Sequence, residues 1–345
     1  MDTTPRVKRE SKNKIRVEFE RAPLWERIKA KFFSTFFLKK VVYVIFRFVL
    51  LLGVSYVILF PYIAKIFNSF MSASDFKDVT VVLLSKAPTF DQYKYIITEN
   101  GYLGALFNTF LLSFTTALIQ TFICALVAYG LAKFKFKGNT VVFVIVIVTL
   151  MVPNDAIQWQ MTQYFGDLDK SSFTENVLEK IHESLGFMNT YIPMYMLSIT
   201  GLGFRNGLFI FMLRQFFKGV PDELEESAYV DGSSTMRTFF SIIIPISIPM
   251  LVTVFIFSFA WQWTDDYYVN TFFDSLYLSD NGYPNLVHIT KMIPASLKNA
   301  TKGLEQYSSA ITGTSTILIA LPLIVAYVFL QDKIVQGVER SGIVG

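Results

Sequence analysis

Apolar residues run along this chain in long blocks, rather than in the alternation of a half-buried strand or the stripe of a surface helix. The first block, 43–64, reads VYVIFRFVLLLGVSYVILFPYI, with a single charge, Arg47, near its start. Further blocks lie at about 104–132, 140–160, 190–216, 241–263 and 309–331. Each holds about 20 or more mostly apolar residues, enough at roughly 1.5 Å per residue to cross about 30 Å of hydrocarbon. The pattern predicts six membrane-spanning helices in an all-α integral membrane protein. The fourth block is interrupted, with Gly201, Gly203 and Gly207 around Arg205 and Asn206. The stretches 66–102, 161–189 and 265–308 are too polar to enter lipid, where each unpaired backbone group costs several kcal/mol. Within them, 172–185 (SFTENVLEKIHESL) has the spacing of a short helix outside the membrane.

Composition supports this reading and narrows it. Hydrophobic residues make up 52% of the chain and charged residues 17%, below the roughly 25% of soluble domains. The net charge of +4 matters less than its placement. About a dozen Lys and Arg fall between Arg6 and Lys40. Beside an apolar block such a cluster fixes a cytoplasmic N-terminus by the positive-inside rule. Read alone, the cluster also suits a nucleic-acid arm. It abuts a span and lacks regularly spaced stacking aromatics, so no nucleic-acid partner is expected. Six spans return the C-terminus to the cytoplasm and place Lys133, Lys135, Lys137, Arg214, Lys218 and Arg237 on the same side. The first apolar block starts too late and runs too long for a secretory leader. Cys124 is the lone cysteine, which excludes an intrachain disulfide and a cysteine metal cluster. Histidine is limited to His182 and His288. No HExxH, GxSxG or GxxxxGK[ST] pattern is present, so no catalytic residue, metal or cofactor is expected in this chain.

One cytoplasmic stretch breaks the charge trend. Residues 214–250 read RQFFKGVPDELEESAYVDGSSTMRTFFSIIIPISIPM. Pro221 suits the first position of a helix. Asp222, Glu223, Glu225 and Glu226 crowd the turn where the helix dipole favours anions. Gly232 suits a left-handed helix-ending position, and Ser233 or Ser234 can cap the next helix. Pro245 and Pro249 are expected to bend or break the next span. The result is a short acidic knob fastened by a tight turn to a spanning helix. From the residues alone it is equally a simple amphipathic surface loop.

This stretch resembles the EAA loop of ATP-binding-cassette importer permeases, an E-A-A-x-x-x-G core with I-x-x-P downstream. Glu226, Ser227 and Ala228 stand at the first three positions, Gly232 at the glycine and Pro245 at the proline. Asp231, Gly232 and Phe239 also match the carbohydrate branch; Ser227 and Ser233 replace alanines. The ending is similar to that of the maltose-type second permease subunit: Gln331, Gly337, Gly342, Val344 and Gly345 fit, whereas Ile343 and a missing lysine depart. The segment WQWTDDY resembles a tryptophan–asparagine–acid segment, with Thr264 in place of asparagine. The resemblance runs from about residue 85 to the end. It implies a type I importer permease fold in a bacterial inner membrane, with a core at 104–331 and the coupling loop at 219–235. Segments 1–40 and 332–345 would be a basic cytoplasmic lead and a cytoplasmic tail, and 41–103 the first span with an external loop. It implies a second permease subunit, two copies of an ATPase that holds ATP and Mg, and an external solute-binding protein. Glu225, Glu226, Ser227, Ala228, Asp231, Gly232 and Pro245 would carry coupling. Gln331, Gly337 and Gly342 would dock the tail.

The expected cargo is a sugar, with an oligosaccharide favoured. Sugars are held by amides and carboxylates that pair with hydroxyls and by rings that cover C–H faces. Asp155, Gln158, Arg205, Trp261, Trp263, Asp265 and Asp266 are the candidates for its path. Trp261 and Trp263 read equally as an interfacial aromatic belt. Arg205, a departure from the resemblance, suits either an ion pair or an acidic sugar group. The alternatives are an ion-coupled secondary transporter, or an importer of another solute such as glycerol phosphate.

Overall fold

The computed structural model describes residues 25, 35–169, 188–203, 205–273 and 285–342. The chain divides into two units, residues 1–64 and 65–345. Helix α1, Thr35–Asn68, carries the first apolar block. Its stretch Lys39–Asn68 has a mean hydropathy of 2.4, and Phe46, Leu51 and Val57 along it are exposed.

The second unit is helical throughout its described elements. In order come α2 Asp91–Glu99, α3 Tyr102–Lys133, α4 Asn139–Thr149, α5 Asn154–Asp169, α6 Ile192–Ile199 and α7 Asn206–Lys218. Next are α8 Glu223–Val230, α9 Thr235–Thr238, a π-helical stretch Phe239–Ile243, and α10 Ile244–Trp263. The remainder are α11 Tyr267–Phe272, α12 Leu286–Ile289, α13 Ala295–Lys298 and α14 Glu305–Gly342. Helix α3 is the hub against which α7 and α10 pack, and α10 also packs on α14. The buried face of α3 explains this. Ala105, Thr109, Ser113, Thr116, Ala117, Cys124, Ala125 and Ala128 recur at helical spacing and are small, which lets neighbouring backbones come close. Phe209, Leu213 and Phe217 of α7 and Met250 and Val254 of α10 fill the space that results.

The six expected spans are realised unequally. Among the described residues four helices are long and apolar enough to cross a membrane: Lys39–Asn68, Tyr102–Lys133, Thr235–Trp263 and Glu305–Asp332. The third block, expected as one helix over 140–160, is instead two, broken at 150–153. The Leu150 and Met151 amides bond to Ile147 and Val148 three residues back, tightening the last turn of α4. Pro153 then has no N–H to continue the ladder. The fourth block is interrupted where its glycines lie: α6 ends at Ile199, Gly201 has φ +76°, Arg205 has φ +61°, and α7 begins at Asn206. The fifth is continuous because the π-helical stretch absorbs the register change ahead of Pro245, with the Ile244 amide donating to Phe239 O. The sixth ends its apolar stretch at Asp332, beside the expected Gln331, and helix α14 continues past it to Gly342. The predicted external helix at 172–185 falls outside the described residues.

Gly207 marks a close contact between α7 and α4. A Cβ there would stand 2.8 Å from Val146 O and 2.9 Å from Thr149 Oγ1, both on α4. Substitution Gly207→Ala should therefore push α7 off α4 and cost about 1–3 kcal/mol. Thermal unfolding of the purified complex would read this as a lowered midpoint; an unchanged midpoint would rule the close packing out.

Candidate functional site

The acidic knob is α8 with its flanking turns. It ends as the residues predict. Gly232 has φ +80°, its amide donates to Tyr229 O at 3.0 Å, and the Ser233 amide donates to Ala228 O at 2.9 Å. Those two bonds are the paired closure of a Schellman turn, which a residue with positive φ makes possible. Ser234 caps α9, accepting from the Arg237 amide at 3.4 Å. Pro221 lies one residue outside the helix, ahead of Asp222. Asp222 does not cap α8, because its carboxylate is bound elsewhere.

The partner is Lys133, the last residue of α3. Its ammonium donates to Asp222 Oδ1 at 2.6 Å and to Val220 O at 2.6 Å. It also lies 3.3 Å from Glu225 Oε1, an ion pair without hydrogen-bond alignment. The Tyr129 hydroxyl, one turn earlier on α3, donates to Glu225 Oε2 at 3.1 Å. The Tyr129 ring packs on Phe217 of α7 and on Phe239 of the π-helical stretch. The side chains of Lys133 and Glu225 are 6% and 8% exposed, so this ion pair is shielded from screening. Lys133 holds the Asp222 carboxyl below the usual carboxylate range by its hydrogen bond. Arg214 completes the mounting: its Nε donates to Leu131 O at 3.2 Å, and its guanidinium lies 3.8 Å over the Phe143 ring.

The knob therefore has two faces. Glu225 and Ala228 turn inward and are buried. Glu223, Glu226, Ser227 and Val230 turn outward, at the spacing of one helix face, and Val230 is 88% exposed. Asp231 and Gly232 are exposed at the turn. Of the expected coupling residues, Glu225 sits against its own chain and Glu226 is open to a partner. The parts played by Lys133 and Tyr129 were not read from the sequence. The available signal was charge complementarity between the acidic knob and the Lys133–Lys137 cluster.

The candidate path residues scatter. Asp155 lies in the first turn of α5, and its side chain is outside the described residues. Gln158 is half-buried on the same helix, where its carbonyl accepts from the Thr162 hydroxyl at 3.1 Å. Trp263 is 2% exposed and donates to Ile319 O at 3.0 Å, so its ring serves the packing of α10 on α14. Trp261 stacks on Phe209, and the Arg205 guanidinium lies 4.5 Å from its ring centroid. Arg205, Asn206 and Gly207 line a cavity of about 270 Å³ at the break between α6 and α7. Asp266 pairs with Lys291 at 2.8 Å on the surface.

Asp265 is buried just past α10. It accepts from Gln262 Nε2 and from the amides of Tyr267 and Tyr268 at 3.1–3.2 Å. Burial outweighs these bonds and pushes its carboxyl up to about 6 from an ordinary 3.8. The folded state thus binds this proton more tightly than the unfolded chain. The contribution to stability is full below the ordinary value and is lost as pH rises through about 6. Asp265→Asn should remove that part of the pH dependence. Comparing the melting of variant and wild type at about pH 5 and about pH 8 tests this, and an unaltered slope in the variant speaks against it.

Residues 121–340 match the family described as binding-protein-dependent transport system inner membrane component. Over 303 residues the chain is 26% identical to a Bacillus subtilis (strain 168) protein named as a probable ABC transporter permease, YurM, covering 87% of each chain. It is 24% identical over 310 residues to the galactooligosaccharides transport system permease protein GanQ of the same organism, covering 89% of this chain and 98% of that one. In three dimensions it resembles a crystal structure of a bacterial ABC transporter involved in import of the acidic polysaccharide alginate. That likeness, which is one of fold, has a TM-score of 0.65 at 19% identity and covers 85% of this chain and 97% of that one. With its family match spanning well over half its length, the chain belongs to the binding-protein-dependent transport system inner membrane component family.

Proposed function

We propose that this chain is a membrane-spanning permease subunit of a bacterial ATP-binding-cassette importer for sugars, oligosaccharides in particular. Membership of a binding-protein-dependent transport family implies an ATPase and a solute-binding protein as partners. The finer assembly is a heterodimer with a second permease, two copies of the ATPase carrying ATP and Mg, and both termini of this chain in the cytoplasm. The observation that carries the reading is the mounting of α8. A short helix joined by a Schellman turn to one span, and by Lys133 to another, moves with both of them. Its outward face, with Glu226 at the centre, would seat in a groove of the ATPase. Closure of the ATPase pair on ATP would then draw α8 inward and turn the permeases outward, where the binding protein releases its sugar. Pro245, beside the π-helical stretch, would let α10 flex as the knob moves. The end of α14, with Gln331, Gly337 and Gly342, would dock beside the ATPase. Asp155, Gln158, Arg205, Trp261, Trp263, Asp265 and Asp266 are the candidates for the sugar's path, and a relative named for galactooligosaccharide transport supports that cargo.

Reconstitution of the whole assembly in vesicles tests the proposal. Uptake of labelled oligosaccharide should need ATP inside, the ATPase subunit and the binding protein. Uptake that survives ATP depletion and stops with an uncoupler would establish an ion-coupled transporter instead.

A further inference from the structure

The segment between Asn68 and α2 folds with its polar groups inside and its apolar groups outside. Asp75 is buried at its centre. The Asp75 carboxylate accepts from the Ser85 hydroxyl at 2.6 Å, the Ser72 amide at 3.1 Å and the Lys86 amide at 3.3 Å. These bonds close the run DVTVVLLSK, 78–86, into a loop. Lys86 seals the neck with an ion pair to Asp78 at 2.5 Å and a hydrogen bond to the Thr80 hydroxyl at 2.6 Å. Val79, Val82 and Leu84 are left outside, 68% to 95% exposed. A scattered exposed leucine is ordinary, but a bonded loop that turns three large apolar groups out together marks a contact surface.

The loop springs from the membrane boundary. Its base is α2, whose Gln92 donates to Met71 O at 2.8 Å and accepts from the Thr314 hydroxyl at 2.6 Å. Thr314 is nine residues into α14, about 14 Å along a helix that is apolar enough to cross a membrane from Glu305 on. Phe76, beside Asp75, packs on Tyr307 in the first turn of α14. At the same base the Phe70 ring meets Phe90 at 5.3 Å and Tyr93 at 5.6 Å. Aromatic groups gather in this way where hydrocarbon gives way to headgroups. The tip itself then chooses between lipid and protein. Protein interfaces are anchored by Trp, Tyr and Arg, and Val and Leu are under-represented at their energetic centres. Residues 78–86 hold valine and leucine with no aromatic residue and no arginine. Their one lysine is paired with Asp78, so the attraction is apolar rather than to headgroup charge.

We propose that the 78–86 loop inserts Val79, Val82 and Leu84 into the lipid leaflet at the Asn68 end of the spans, the outer leaflet when the termini are cytoplasmic. There it anchors α2, and through Gln92 the start of α14, at a fixed depth. The buried Asp75 is the positioning residue, because it holds the loop in the shape that presents the three side chains. The inference rests on the chain's spanning a membrane and is independent of its cargo and its ATPase.

The test uses the assembled transporter in nanodiscs of phosphatidylcholine and phosphatidylglycerol. An environment-sensitive NBD fluorophore is attached to Val82→Cys; the native thiol, Cys124, is buried. Its emission should shift to the blue of the same probe on free cysteine in water. A nitroxide carried near the top of a lipid acyl chain should quench it and aqueous iodide should not, at low and at high salt alike. Quenching by iodide and not by the nitroxide overturns the proposal. So does an iodide response that disappears only when the binding protein is added, which would make the loop a protein dock. A second measurement needs no variant. In the wild-type assembly, a phospholipid bearing a diazirine on its acyl chain should mark residues 78–86 on illumination, as read by mass spectrometry of the peptides. Marks confined to the spans overturn the proposal whether or not the labelled variant assembles. Neither measurement involves transport, so their failure leaves the permease reading standing, and a failure of ATP-driven uptake leaves this inference standing.

Discussion

Proline at position 232 is expected to abolish ATP-driven uptake while the assembly still inserts and still hydrolyses ATP. Two independent features of the turn demand this. Proline fixes φ near about −65°, whereas the native turn needs +80°. Proline also lacks the amide that donates to Tyr229 O, so the closure of α8 is lost with the backbone angle. Strain in the left-handed region alone is of order 1–2 kcal/mol per residue, and the lost turn adds to it. The spans themselves need not change, because nothing lies within 4 Å of a Cβ built at Gly232. Gly232→Ala meets no clash but is still strained at φ +80°, so coupling should fall, less than with proline, while assembly is normal. The readout is the ratio of sugar transported to ATP hydrolysed in reconstituted vesicles. A ratio in Gly232→Pro equal to wild type would remove the turn from the mechanism.

Lys133→Met should be nearly as damaging, by a different route. It leaves Glu225 buried at 6% exposure with its countercharge gone, and frees Asp222 and the Val220 carbonyl. Breaking a buried ion pair by removing one partner costs about 3–5 kcal/mol, far more than the pair contributes over an apolar replacement. Because Asp222 is largely exposed, the lower end of that range applies. The knob should loosen from α3 while remaining tied to α10, and coupling should fall with it. Adding Glu225→Gln removes the stranded charge but keeps an acceptor for Tyr129, so the double variant should recover part of the loss. Transport-to-hydrolysis ratios for the two single variants and the double form a thermodynamic cycle. Strict additivity would mean that Lys133 and Glu225 do not act on one another.

Much of the loop's geometry was legible in the residues because it is governed by local rules. Gly232 suited a left-handed position, Ser233 or Ser234 suited a cap, of which Ser234 serves, and the glycines at 201–207 interrupted a helix; each depends on a few neighbouring residues. The third block misled because apolar content outweighed one signal, the proline at 153, which ends α4 after 11 residues. The apolar part of α14 ends at Asp332, beside the expected Gln331, and the helix runs on into the polar residues because polarity alone does not stop a helix. What the sequence left mostly hidden was tertiary. Lys133 and Glu225 lie far apart along the chain, and opposite charge is the signal that links their segments. Trp263 and Asp265 looked alike as polar or aromatic groups at a span end, and only packing assigns the one to a helix interface and the other to a buried cap.

Cross-linking from Val230 tests the central claim most directly. The residue is 88% exposed on the outward face of α8, and the native thiol, Cys124, is buried. A photoactivatable group attached to Val230→Cys in sealed vesicles should join the chain to the ATPase subunit in a yield that changes with ATP, and the adduct should block uptake. Labelling of that cysteine by an impermeant maleimide added outside, with no ATPase adduct, would contradict the account.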